Sequence, residues 1–234
     1  MFKFEKLVFG DLGWGDEFLW AAVMTLTVSI LSMGLGMCLA IITVWAKIVQ
    51  SKVTRLIANF YTTVVRGVPE LLVIYLIFFG GNSVVMGIAK IFGYNGYIEL
   101  NALTIGTIAI AFISATYSSE VSRAAYLSIN KGQIEAAKAL GLNRFSIFIR
   151  VLTPQIIRHA LPGIGNVWQI TLKDTSLISV TGLVEIMRQS RIASNVEHSP
   201  LTFLITAAIL YLLLTTFSGK FFKKLEVNYS KGYN

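Results

Sequence analysis

Few side chains in this sequence can do chemistry, and most of those stand inside apolar stretches. Glu70 follows Arg66-Gly67-Val68-Pro69 and precedes an apolar run over residues 71–79. An ionisable group in such a run is costly in hydrocarbon and is a functional candidate by default. Two readings of Glu70 stand: attraction of a cationic ligand group within a membrane cavity, or an ion pair with Arg66 four residues earlier. Glu120 and Arg123 lie one helical turn apart and are expected to pair with each other. Lys173 and Asp174 are expected to pair mutually or with a neighbouring helix. Trp168 and Gln169 follow Pro162, Gly163 and Gly165, where a broken helix would turn polar groups toward a cavity. An indole there would add cation–π attraction to a guanidinium; an ordinary buried tryptophan is the other reading.

The remaining reactive residues are isolated. His159 and His198 have no second ligand at metal-binding spacing. Cys38 sits alone in an apolar run and is expected to act as a small hydrophobe in a helix interface. The chain contains no GxxxxGK[ST] phosphate loop, no HExxH and no GxSxG, so neither nucleotide hydrolysis nor the corresponding hydrolase chemistry is expected of it. No cofactor and no nucleic-acid partner are expected in this chain.

The elements that must position these residues are membrane spans. The 234 residues are 55% hydrophobic and 14% charged, with a mean hydropathy of +0.68. A soluble domain carries roughly a quarter charged residues, so the reading is a single all-α membrane domain in contact with lipid. Five spans are predicted, at about 19–44, 56–79, 102–125, 156–172 and 201–217, each long enough at about 1.5 Å per residue to cross most or all of the roughly 30 Å of hydrocarbon. No signal cleavage site follows the first span, which is expected to be permanent. Ser32, Gly36 and Ala40 recur every fourth residue on it, a pattern for close helix contact. The second span should bend or break at Gly67 and Pro69. The fourth is weakly hydrophobic, with Pro162, Gly163 and Gly165 interrupting it.

The net charge of +8 sets orientation. Lys47, Lys52, Arg55, Arg66, Arg123, Lys131, Lys138, Arg144, Arg150, Arg158, Lys220, Lys223, Lys224 and Lys231 gather on or near one side if the N-terminus lies outside and the C-terminus in the cytoplasm, as the excess of inner basic residues requires. That side also holds the most soluble-looking stretch, residues 131–155. Its first helix, near residues 133–140, offers Ala136, Ala137 and Ala139 for close approach. Gly141 then ends the helix, where a glycine takes positive φ at little cost. A second helix places Phe145, Phe148, Ile149 and Leu152 on an apolar stripe that should be covered, and Pro154 should close it.

At these residues the chain resembles the membrane-spanning subunits of ATP-binding-cassette importers. Their cytoplasmic loop has the form E-A-A, three residues, G, nine residues, I-x-L-P. Here it reads Glu135-Ala136-Ala137, Gly141, then Val151 and Pro154, with Val151 for isoleucine and Thr153 for leucine. The segments "RGVPELL", "YSSEVSRAAYLSINKGQIEAAKALG", "LPGIGNVWQ" and "LKDTSL" are similar to the polar-amino-acid branch, especially the permeases for histidine, other basic amino acids and opines. The resemblance implies a type I importer permease fold in a bacterial inner membrane, with Glu135, Ala136, Ala137, Gly141 and Pro154 in a coupling loop that docks on an ATPase pair. The Phe145/Phe148 stripe would hold that loop to the membrane domain. Glu135 would cap its helix or pair with a base on the ATPase, and ATP and Mg would reside on that partner. The resemblance further implies a second, similar permease chain in a heterodimer, an extracytoplasmic binding protein, and transport of a cationic amino acid or opine. A carrier driven by an ion gradient is the alternative reading.

Overall fold

Two of the apolar runs form a seam on which the rest of the chain packs. The computed structural model describes residues 3–10, 13–49, 51–94, 96 and 101–230; Lys231, one of the bases used for orientation, lies outside them. α1 (Gly15–Ile48) and α4 (Ala102–Leu127) are the seam. Ser32, Gly36 and Ala40 are buried along it. Ser32 Oγ donates to the Thr107 carbonyl at 3.1 Å. A Cβ on Gly36 would stand 3.0 Å from the Ala111 carbonyl oxygen and closer still to Ser114 Oγ. Several hydroxyls of α4 are satisfied inside their own helix: Thr116 donates to Ile113 O at 2.7 Å and Ser119 to Thr116 O at 2.8 Å, whereas Thr107 Oγ1 and Ser118 Oγ are buried without a partner among the described residues. Bonds of this kind let a polar sequence face a dry interior.

α2 (Lys52–Gly67) is amphipathic and buries Ala58, Thr62 and Val65. Val68 is forced into an extended conformation by the proline that follows it, and α3 (Glu70–Ile91) starts afresh after Pro69. The expected break is therefore complete. Arg66 and Glu70 belong to different helices, which removes the intrahelical i, i+4 relation. α3 buries only Val73 and Ile74 and leaves Leu76 and Phe79 exposed.

Beyond α4 come α5 (Lys131–Ala139) and α6 (Arg144–Ile147), which runs through a π turn at Phe148–Leu152 into α7 (Thr153–Asp174). α8 (Ile186–Glu197) and α9 (Pro200–Ser230) complete the chain after a 3-10 turn over Thr175–Thr181. Among the described residues every regular element is helical. Four helices are long and apolar enough to cross a membrane: α1, α3, α4 and α9.

Three expectations change here. Pro162, Gly163 and Gly165 do not interrupt α7, which is continuous. The glycines instead admit neighbouring helices: a Cβ on Gly163 would come 2.6 Å from Val121 Cγ1 on α4, and one on Gly165 3.3 Å from Phe222 on α9. Pro154 does not close a helix either. It occupies the first turn of α7, where the wider i→i+5 turn before it, with Thr153 N–H bonded to Phe148 O, accommodates a residue that has no N–H to give. Cys38, expected in a helix interface, is on the exposed side of α1, turned away from the Ser32/Gly36/Ala40 face.

One buried cation fastens one end of the seam. The Lys47 ammonium of α1 is only 4% exposed, pairs with Glu120 of α4, and donates to Thr62 Oγ1 of α2 at 2.7 Å. Glu120 also takes two bonds from Arg123, at 2.9 and 3.2 Å, so the expected Glu120–Arg123 pair is present within a larger cluster. Lys47→Met should cost about 2–3 kcal/mol, because it leaves a partly buried carboxylate with Arg123 alone as its cationic partner. Arg123→Gln, on the more exposed arm, should cost less than about 1 kcal/mol. Thermal unfolding in detergent measures both, and equal losses would deny the buried lysine its special role. In the same assay Gly36→Val should destabilise by about 1–3 kcal/mol through overpacking. Gly34→Val, where a Cβ meets nothing within 4 Å, should leave the melting temperature unchanged.

Candidate functional site

The break at Val68–Pro69 brings three helices together around one phenol ring. Glu70, in the first turn of α3, accepts a hydrogen bond from the Tyr117 hydroxyl of α4 at 3.0 Å. Asp174, at the end of α7, lies near enough to Glu70 for the two carboxyl groups to interact. Arg66, at the end of α2, places its guanidinium carbon 5.4 Å from the Tyr117 ring centroid. Two acidic groups thus meet at one end of the tyrosine and a cation covers its face. An open polar cavity of about 480 Å³ adjoins this row, lined by Lys47, Thr62, Arg66, Gly67, Tyr117 and Glu120 among others.

Of the residues predicted for a substrate pathway, Glu70 lies in this group. Trp168 and Gln169 do not. Trp168 is buried with Met33, Val167 and Leu172 and stacks toward Phe222 of α9, ring centroids 5.9 Å apart; its indole N–H has no partner among the described residues. Gln169 faces α9 at Gly219. Asp174 meets Glu70 rather than only its neighbour Lys173. Tyr117 was not anticipated, although it precedes Glu120 and Arg123 at three-residue spacing on the same face. Glu185 was also missed. It is fully buried, accepts from the Met187 and Arg188 amides at 2.9 and 2.8 Å, and takes the Tyr211 hydroxyl at 2.5 Å. Burial pushes its carboxyl above the ordinary value against the pull of those donors. Its place is that of a cap holding α8 to α9.

The stretch 131–155 forms a second surface, built from its own small core. Ile129, Ala137, Ile147 and Leu152 are buried together. Asn130 caps α5 by accepting from Gly132 N at 2.9 Å, so Glu135 is not the cap; it is exposed. Gly141 ends α5 at φ +78°. The stripe of Phe145, Phe148 and Ile149 is exposed rather than covered, and among its members only Leu152 is buried. The π turn explains this, since its extra residue rotates the face so that Ile147 and Leu152, five apart, point inward together. Leu140 and Phe145 stand out furthest, 82% and 74% exposed. Among the described residues no three His, Cys, Asp or Glu side chains converge as a metal site.

Known proteins match along nearly the whole chain. A nopaline transport system permease protein of Agrobacterium fabrum is 49% identical over 221 residues, which are 94% of this chain and 94% of that protein. An octopine transport system permease protein of Rhizobium meliloti is 43% identical, covering 97% and 96%. The crystal structure of an amino acid ABC transporter with histidines superposes with a TM-score of 0.78 at 28% identity, covering 92% of this chain and 95% of that one. Residues 33–226 match the family described as binding-protein-dependent transport system inner membrane component. The chain belongs to that family and is a transport permease subunit, with ATP hydrolysis carried by a separate protein.

Proposed function

We propose that this chain carries a cationic amino acid or opine inward across a bacterial inner membrane as one of two similar permease chains. The observation that carries the reading is the Glu70–Asp174 pair at the helix break, beside the Tyr117 hydroxyl. Two carboxyl groups in a water-poor setting form a favourable resting place for a guanidinium or ammonium, since a cation there relieves their mutual repulsion. Octopine and nopaline, named for the relatives at 43% and 49% identity, both contain an arginine guanidinium, which fits that chemistry. Histidine, arginine and lysine are the simpler members of the class. Trp168 and Gln169 act in this proposal from the α9 side of the pathway, at some remove from the acids.

Five spans are proposed: α1, α3, α4, α9 and the less apolar α7, whose 22 residues suffice to cross and whose faces are covered by α1, α4 and α9. The N-terminus is outside and the C-terminus in the cytoplasm. The loop 131–155, with Glu135, Ala136, Ala137, Gly141 and Pro154, docks on a dimer of ATP-binding subunits that hold ATP and Mg. Exposed Leu140 and Phe145 support this, because apolar side chains so far from the loop's own core suit a partner surface. An extracytoplasmic binding protein delivers the ligand, and a heterodimer with a second permease encloses the path that five spans leave open.

Gly141→Asp adds a charged side chain where φ is positive, so it should abolish co-purification of the ATP-binding subunit from native membranes. Recovery of that subunit at wild-type level would remove the loop from the coupling surface. Well-folded wild type that brings down no ATPase, together with uptake that collapses on loss of the ion gradient, would favour an ion-driven carrier. Glu70→Gln should lower uptake of labelled arginine or octopine at least tenfold with assembly unchanged; normal uptake would exclude Glu70 as a ligand group.

A further inference from the structure

We infer that Arg66, with the adjoining polar cavity, binds the carboxylate end of the transported molecule while the acidic pair holds its cationic end. The inference rests on the functional reading above and extends it to the opposite end of the ligand. It begins with charge bookkeeping around the cavity. Of the two cations that line it, Lys47 is consumed by Glu120 and Thr62. Arg66 takes part in no ion pair among the described residues; its recorded neighbour is the face of Tyr117, 5.4 Å from the guanidinium carbon. It is exposed, and its planar donors remain free for an oxygen pair, which a guanidinium grips in bidentate fashion better than an ammonium does. The aromatic face beneath it fixes the plane of the group without neutralising it.

The same ring that supports Arg66 donates its hydroxyl to Glu70 at the far end. A basic group over the ring face and an acidic group at its hydroxyl thereby share one phenol ring. Thr62 and the exposed backbone at Gly67 add polar wall between Lys47 and the break. Molecules that present a guanidinium at one end and one or more carboxylates at the other match this row, and a simple diamine or guanidine without a carboxylate matches only half of it. The site therefore selects zwitterionic and polyanionic arginine derivatives over plain cations.

The test uses the assembled permease complex in detergent, without the binding protein, so that only the membrane site is read. Equilibrium dialysis compares octopine, arginine and agmatine, guanidinium ligands with two, one and no carboxylates. Wild type should bind the two carboxylate-bearing ligands at least tenfold more tightly than agmatine. Arg66→Gln should erase that difference while leaving agmatine affinity unchanged, and Arg66→Lys should restore part of it. Arg66→Gln that weakens all three ligands alike, or none, would overturn the inference, as would wild type that ranks agmatine equal to arginine. Glu70→Gln and Asp174→Asn should weaken all three, agmatine included. If they change nothing while Arg66→Gln still erases the ranking, the carboxylate site stands and the acidic-pair reading falls. Wild type that retains none of the three ligands refutes both.

Discussion

The structure depends on how closely α1 can approach α4. In hydrocarbon there is no hydrophobic gain from bringing two helices together, so association relies on contact between backbones and on a few interhelical hydrogen bonds. Ser32, Gly36 and Ala40 supply that contact, and Thr107, Ala111 and Ser114 receive it. Three functional contacts hang from α4: Tyr117 for the acidic pair, Glu120 for the buried lysine, and Tyr126 at the root of the exposed loop. A seam loosened by one methyl group would move all three groups together, because they share one helix. Along α1, the face away from the seam carries Leu31, Leu35, Ile41 and Ile42, all exposed, the expected side for lipid.

What the sequence made legible was local. A four-residue repeat of small side chains reads directly as a packing face. Pro69 must extend the residue before it, so a break at Gly67–Val68 follows from covalent geometry alone. Gly141 likewise reads as a helix end, and it has the left-handed φ that the reading requires. The less legible features are those in which one residue type serves two ends. Gly163 and Gly165 were read as helix breakers, yet inside a packed bundle a missing Cβ is equally the means by which Val121 and Phe222 come close. Pro162 is tolerated because its neighbours hold α7 on both sides. Cys38 had a burial tendency and no partner written beside it, and it faces outward.

The acidic site shows the same division. Glu70 stood out because charge in an apolar run is conspicuous. Its partners Tyr117 and Asp174 lie on two other helices, at sequence separations that no periodicity spans, and a tyrosine in a span carries no warning by itself. The two readings of Glu70 also turned on a structural detail. Within one helix Arg66 would neutralise it; with the helix severed, Arg66 reaches the tyrosine face and Glu70 reaches the hydroxyl of the same ring. A single proline thus turns a would-be intrahelical ion pair into two groups of opposite charge on different helices that meet the same tyrosine.

The continuity of the helix from Arg144 to Asp174 then links the two surfaces. Its N-terminal end belongs to the exposed loop, where Phe145 stands free, and its last residue meets Glu70. At about 1.5 Å per residue such a helix spans some 45 Å, with a π turn near the loop and Pro162 within α7. On the proposed docking, a partner that grips the loop would pass its displacement along this helix toward Asp174. Glu70 begins α3, whose two buried residues, Val73 and Ile74, join the core formed by Val28 of α1 and Ala109, Ile110 and Ile113 of α4. The acidic pair therefore lies where the end of α7 meets the start of α3. Closing the pair concentrates negative potential at the break, and parting it withdraws that potential from any cation resting there.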